Sequence, residues 1–177
     1  PAMLRVLDRL DDTPAEIVTE LGETLRQSRL GIALLGDATR RTGPARSVGY
    51  RWFTDPTARA AYPSDEVAAL SRIYAAGLRE LVAARGPGSR AAALAGDLRE
   101  RSAEFAALWD AHEVGARPPE IKRFHHPEVG HLDLSCQTLL DPDHSHRLLV
   151  YTAQPGSESA EKLRLLAVIG APSIAPR

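Results

Sequence analysis

The last third of the chain carries two stretches in which apolar and polar residues follow the period of β-strands. Over residues 132–137 every second residue is apolar, which predicts a strand with one buried face and one wet face. Residues 148–151 are continuously apolar, which favours a central strand covered on both faces. Together with a strand that begins near Lys122, these stretches predict three strands close to the C-terminus.

Two further strands are predicted near the N-terminus. Residues 17–21 and 24–28 flank a Gly22-Glu23 turn and favour a hairpin. Helices are predicted between this hairpin and the C-terminal strands, and a closing helix follows Ser157 or Ser159. This order of elements predicts an α+β fold, in which several helices back one face of a roughly five-stranded antiparallel sheet.

The longest predicted helix lies between Ser64 and Gly86. Val67, Leu70 and Tyr74 begin an apolar stripe at helical spacing that continues toward Gly86. Ser64 is the predicted N-cap, and the glycine is expected to end the helix.

The bulk properties of the chain exclude several functions. Its 177 residues suffice for one domain with a hydrophobic core. The formal net charge is −1 and the basic residues are dispersed, so this segment alone is not expected to bind DNA. One cysteine, Cys136, cannot form an intrachain disulfide, and no apolar run reaches the roughly 18 residues of a spanning helix. We therefore expect a soluble cytoplasmic protein with no membrane partner.

Histidines concentrate around the C-terminal strands and raise the question of a metal site. They are His125, His126, His131, His144 and His146. A zinc or iron site needs at least three converging ligands, and neighbouring residues on a strand point to opposite faces. His125 and His126 therefore cannot face one ion, and we expect neither a metal nor another cofactor.

No sequence pattern indicates an enzyme. Nucleophile elbow, phosphate-binding loop and dinucleotide fingerprint are all missing from the sequence. Cys136 falls on the predicted buried side of its strand, where a thiol is usually inert. We predict no catalytic residues, and a metal-dependent enzyme using the histidines remains the least favoured alternative.

Several short motifs occur in one order along the chain and together are more specific than any of them alone. They are residues 7–14, residues 33–37, Phe53-Thr54-Asp55-Pro56-Thr57-Ala58-Arg59, Tyr62-Pro63, residues 102–105, Leu108-Trp109, His112, His126-Pro127-Glu128-Val129-Gly130 and residues 150–157. This series, within residues 4–166, resembles the MmyB-like transcription regulator ligand-binding domain. That domain is the C-terminal sensory part of XRE-family helix-turn-helix regulators in bacteria.

The resemblance implies a PAS-like ligand-binding domain over residues 4–169 and an internal apolar cavity associated with a fatty-acid-like ligand. A flexible tail is expected over residues 170–177, and a helix-turn-helix domain is expected upstream of the chain. The sequence departs from the family pattern at two places. Gln27-Ser28 stand where the family usually has Trp-Asn, and Ser47 stands where it has Asn. These departures bear on the identity of the ligand.

We predict that an acyl chain would lie against apolar walls and that its carboxylate would bind a charged side chain. The predicted wall residues are Trp52, Phe53, Leu70, Tyr74, Phe105, Trp109, Phe124, Leu134, Leu149 and Tyr151. Arg123 or His125 is the predicted polar anchor. Alternation along a strand prevents Phe124 from pointing the same way as Arg123 and His125.

The leading prediction is a sensor that binds a small apolar molecule and modulates an upstream DNA-binding domain. Such a regulator would contact DNA only through that further domain, and a homodimer is a possible assembly. The alternative is a dimerisation module without a ligand, in which all the aromatic residues belong to the core.

Overall fold

The elements of the fold follow one another as two strands, a helical middle, three strands and a final helix. The computed structural model describes residues 2–112, 115, 118–142 and 145–170, so that His144 and residues 171–177 of the predicted tail lie outside it. The elements are α1 Ala2–Leu7, β1 Ala15–Thr19, β2 Thr24–Gln27, α2 Arg29–Leu35, α3 Val48–Thr54, α4 Val67–Arg85, α5 Arg90–Arg101, α6 Ala103–Asp110, β3 Ile121–His126, β4 Gly130–Leu140, β5 His146–Thr152 and α7 Glu158–Ile169. The predicted α+β fold is confirmed.

The five strands form one sheet in the order β2-β1-β5-β4-β3. Strand β5 lies inside the sheet, as its continuously apolar sequence predicts. Strands β3 and β4 pair antiparallel with Phe124 opposite Leu132, and β4 pairs antiparallel with β5 so that Cys136 lies opposite Tyr151. Strands β1 and β2 form an antiparallel hairpin.

The described residues divide into two compact units. The sheet unit takes its residues from Pro1–Val18, Thr24–Arg40 and Glu120–Arg177. The helical unit comprises Thr19–Glu23 and Arg41–Pro119, and therefore contains α3 to α6. Each unit has its own buried cluster of apolar side chains.

Helix α1 covers part of one face of the sheet. Its Leu7 packs in a buried cluster with Ala15 and Ile17 of β1 and Leu148 of β5. Partly buried apolar side chains, Met3, Leu10, Leu25 and Val150, extend this cluster. The face that carries Ile17 and Leu148 is therefore occupied by α1 along the inner strands.

Helix α2 approaches strand β1 so closely that only glycine fits between them. A Cβ placed on Gly31 would lie 2.5 Å from the carbonyl oxygen of Ala15. The approach is fixed by the Ser28 hydroxyl, which accepts from the backbone N–H of Gly31 at 3.0 Å and of Ala15 at 2.9 Å. It also donates to the carbonyl of Thr13 at 2.8 Å. Ser28 thus caps α2 and holds it on the strand at once.

The longest helix begins later than its sequence predicts. Helix α4 starts at Val67, and the backbone N–H of Val67 donates to the carbonyl of Ser64 at 3.4 Å. Glu66 takes the N-cap position without a side-chain hydrogen bond, so the predicted Ser64 cap is wrong. The residues before the helix form a turn after Pro63. The predicted end is confirmed, because the chain leaves the helix at Gly86 with φ 86°.

The close approach of α2 and β1 gives a stability prediction. Gly31→Ala should destabilise the protein by about 1–3 kcal/mol, because its methyl group would press on backbone that cannot move aside as a side chain could. Gly77→Ala is the matched control: Gly77 lies inside α4 and its added Cβ would contact nothing within 4 Å. This control should stabilise by about 0.4–1 kcal/mol. Equilibrium denaturation of both variants measures the contrast, and equal effects would contradict it.

Candidate functional site

The position of Phe124 decides which face of β3 each neighbouring side chain occupies. Phe124 is buried, whereas His125 is exposed. Because strand residues alternate, Lys122 and His126 share the face of Phe124, and Arg123 and His125 lie on the other face. The structure thus separates the predicted apolar wall of this strand from both predicted anchors.

The face of Phe124 collects the four apolar residues predicted on the strands. Residues directly opposite each other in an antiparallel pair share a face, and Lys122 lies opposite Leu134, Cys136 opposite Tyr151, and Thr138 opposite Leu149. Leu132 and Leu134 are fully buried here. The rings of Phe124 and Tyr151 meet edge to face with centroids 5.8 Å apart.

A line of polar side chains crosses this same face, one from each strand. We call it the polar row; its members are Thr24 of β2, Glu16 of β1, Tyr151 of β5, Cys136 of β4 and Lys122 of β3. The hydroxyls of Thr24 and Tyr151 donate to the two carboxylate oxygens of Glu16 at 3.2 and 3.1 Å. Lys122 Nζ lies 5.5 Å from the centroid of the Tyr151 ring.

Glu16 is a buried carboxylate whose burial requires hydrogen-bond donors. It is 9% exposed, and Tyr151 is 3% exposed. Burying such a group without partners costs several kcal/mol, so the two hydroxyls are a condition of its presence in the sheet. The hydrogen bonds also tie together β2, β1 and β5, which are neighbours in the sheet.

Cys136 and Lys122 form the other end of the polar row. Burial has the largest effect on the Cys136 thiol and raises its pKa; the nearby Lys122 ammonium opposes this, and the charge of Glu16 raises the pKa further. The thiol therefore stays protonated, as expected for inert packing. The ion pairs found in the described part of the chain do not include Lys122, which is half-buried.

The opposite face of the sheet has a groove of about 720 Å³ beside the start of α7. Its charged residues already pair with one another. His131 contacts Asp133 at 2.9 Å, and Lys162 contacts Glu158 at 2.7 Å. Ser159 accepts a hydrogen bond from the backbone of Asp133. A groove with these partners offers little to an apolar ligand.

The other six predicted wall residues come together in the helical unit. They are Trp52, Phe53, Leu70, Tyr74, Phe105 and Trp109. Phe105 is in contact with both Phe53 and Trp109, at centroid distances of 5.0 and 5.5 Å, and Trp52 lies 5.2 Å from Tyr74. Trp52 and Phe105 are almost completely buried. These rings fill the core of the unit against one another.

A hydrogen-bonded chain runs through that core. The indole N–H of Trp52 donates to the Ser71 hydroxyl at 2.8 Å, and Ser71 donates to Glu104 at 2.7 Å. The other oxygen of Glu104 accepts from Arg59 at 2.7 Å, and Arg59 also donates to the carbonyl of Trp52 at 2.7 Å. These hydrogen bonds link α3, α4 and α6 and give the indole N–H of the buried Trp52 an acceptor.

The histidines bind protein groups instead of converging. The ring of His126 donates from Nε2 to the carbonyl of Ala33 at 3.0 Å and accepts at Nδ1 from the backbone N–H of Glu128 at 3.2 Å. His131 pairs with Asp133, and His146 with Asp141. Within the described residues, no three His, Cys, Asp or Glu side chains are grouped to hold a metal ion.

Sequence reasoning missed three members of the polar row: Thr24, Glu16 and Lys122. One signal was available for Glu16, because a single carboxylate between Ala15 and Ile17 interrupts an otherwise apolar strand. Lys122 could have been assigned to the face of Phe124 by alternation once Phe124 was assumed to be buried. Thr24 gave no such signal, since threonine is common in strands.

The environment of Glu104 predicts a pH-dependent contribution to stability. Burial raises its pKa, but the hydrogen bonds from Arg59 and Ser71 outweigh this and lower the pKa below the ordinary value. The ionised group therefore stabilises the fold above about pH 4, and this stabilisation is lost as the pH falls through the lowered pKa. Glu104→Gln should cost up to about 1 kcal/mol at pH 7, because the side chain is partly exposed.

Thermal melting from pH 3 to pH 8 tests this expectation. The difference between the native protein and Glu104→Gln should shrink as the pH falls below about 4. Glu100→Gln, an exposed change on α5, should melt like the native protein throughout. A difference that stays constant with pH would show that the carboxylate charge plays no part.

Comparison with known proteins identifies the family of the chain. None of the described helices has the length and apolar character needed to cross a bilayer. No curated protein matches the chain. The family model described as MmyB-like transcription regulator ligand binding domain matches residues 1–166, nearly the whole sequence. The chain therefore belongs to the family of MmyB-like transcription regulator ligand-binding domains.

Proposed function

We propose that the chain is the sensory domain of a bacterial transcription regulator and that it binds a small apolar, fatty-acid-like molecule. The family match over residues 1–166 carries the proposal. In the intact regulator the domain would modulate an XRE-type helix-turn-helix domain upstream, and only that domain would contact DNA. Ligand occupancy acts in such a protein by favouring one of two conformations, so the ligand must bind them with different affinity.

The face that carries the polar row is the proposed binding surface in the sheet unit. Phe124, Leu134 and Tyr151 are buried on this face and Leu149 is half-buried, so an acyl chain that enters beside Leu149 would bury its methylene groups at about 0.8 kcal/mol each. The six predicted wall residues of the helical unit contact one another, which supports a packing role for them. We propose that the sheet residues provide the larger part of the apolar contact.

We extend the proposal to the fold type, the cellular location and the kind of activity of the domain. The sheet order, with the first and last strands as inner neighbours, supports the PAS-like description. The domain would act in the cytoplasm, where the DNA of a bacterium lies. Its role would be binding and not catalysis, which fits a thiol kept protonated and histidines paired with protein groups.

A second candidate function is dimerisation, and one observation favours it. Helices α2 and α7, which contact each other, expose large apolar side chains. These are Ile32, Leu165, Val168 and Ile169, with Val168 74% exposed. Apolar side chains grouped on a surface mark interaction sites in soluble proteins. A second copy of the chain could cover them whether or not a ligand is bound.

Titration with decanoate and octanoate tests ligand binding. Decanoate should bind more tightly, since it buries two more methylene groups. Leu149→Gln should weaken decanoate binding about tenfold or more, because it places an amide on the proposed surface. Leu139→Gln is the control, because it makes the same change on the neighbouring strand β4 but on the opposite face of the sheet. This variant should bind decanoate like the native chain.

Isothermal titration gives the affinities, and light scattering gives the assembly state. A dimer that binds neither decanoate nor octanoate would favour the dimerisation function and contradict the proposed ligand-sensing function.

Regulation is tested on the intact regulator with its DNA-binding domain. Saturating decanoate should change the affinity for operator DNA by about fivefold or more, in either direction. The Leu149→Gln form should show a smaller change at the same decanoate concentration. Fluorescence anisotropy with labelled operator measures both. An unchanged DNA affinity at demonstrated full occupancy would leave a ligand-binding domain without the proposed regulatory coupling.

A further inference from the structure

The polar row contains one cation, Lys122, and the ion pairs found among the described residues do not include it. Glu16, the nearest carboxylate in the row, accepts from the hydroxyls of Thr24 and Tyr151 at its two oxygens. Strands β5 and β4 lie between β1 and β3, which separates the backbones of Glu16 and Lys122 by roughly 14 Å, three strand spacings. The two hydroxyls, and not an ion pair with Lys122, are the hydrogen-bond donors that the structure shows at the Glu16 carboxylate.

The contacts that Lys122 does make are weak ones for an ammonium group. Its Nζ lies over the Tyr151 ring and also interacts with the Cys136 thiol. A cation over an aromatic ring makes a weak electrostatic contact, and a thiol sulfur is a weak acceptor. An ammonium with three donors in this position is suited to an anionic acceptor.

The surroundings of Lys122 indicate what kind of anion fits. Fully buried Leu134 lies directly opposite it on β4, and Phe124 follows two residues later on the same face. The ammonium therefore lies on an apolar face of the sheet, and the half-buried Leu149 is the apolar side chain of this face that stays partly accessible. A molecule with an apolar body and a single anionic end could satisfy both at once.

We propose that the Lys122 end of the polar row is the head-group site of the ligand, where the ammonium binds a carboxylate. This rests on the proposed function and replaces the two anchors predicted from sequence. Arg123 and His125 lie on the other face of β3, away from Phe124 and Leu134. Tyr151 and Cys136 position the ammonium, and the ligand supplies the opposite charge.

The test compares decanoate with decanol, which has the same chain length and no charge, on the complete chain. Lys122→Met removes the charge and keeps most of the side-chain length, and Lys122→Gln is a second neutral variant. Both should lower the affinity for decanoate about tenfold or more and leave that for decanol within about twofold. Lys122→Arg should retain decanoate binding within about threefold, since it keeps the charge.

Arg123→Met is the matched control, because it removes a neighbouring positive charge from the opposite face of the same strand. It should bind both compounds like the native chain. Retained decanol binding by Lys122→Met also shows that this variant is folded.

The outcomes separate the two proposals. If Lys122→Met binds decanoate as the native chain does, the head-group site is wrong and the apolar binding function stands. A selective loss of decanoate binding in Arg123→Met overturns the head-group site in favour of the opposite face. If the native chain binds neither decanoate nor decanol, both proposals fail together.

Discussion

The antiparallel register of β3, β4 and β5 determines which side chains the sheet presents on each face. Phe124 lies opposite Leu132, and Cys136 opposite Tyr151. Because side chains alternate, a shift of one residue in β3 would turn Phe124 and Lys122 to the other face and bring Arg123 and His125 beside Tyr151. The turn that fixes this register ends at Gly130, whose φ of 75° suits glycine.

Both units contain a carboxylate that is stabilised by directed donors, but the donors differ. In the helical unit, Glu104 is bound by the Arg59 cation and the Ser71 hydroxyl. In the sheet unit, two neutral hydroxyls serve Glu16. The first arrangement pairs a charge with a charge and completes a structural network. The second gives each carboxylate oxygen of Glu16 a hydroxyl donor, while Lys122, at the other end of the polar row, contacts Tyr151 and Cys136.

The sequence was informative where one local signal dominated. Alternation predicted β4, continuous apolar residues placed β5 inside the sheet, and Ser157, one of the two predicted candidates, caps α7. The predicted N-cap at Ser64 was wrong because serine is also common in turns, and the preceding Pro63 favours a turn at this place. The polar row was beyond sequence reasoning, since it assembles single residues from five strands whose order and register arise only from tertiary packing.

The contact between α2 and β1 has a mechanical consequence for the sheet. Gly31 leaves no side-chain layer between the helix and the carbonyl of Ala15, and Ser28 holds the two together by hydrogen bonds. A layer of side chains could accommodate a small displacement by changing rotamers, whereas two backbones in direct contact have no rotamers to change. Helix α2 and strand β1 therefore move as one piece, and the residue that follows Ala15 in that piece is Glu16.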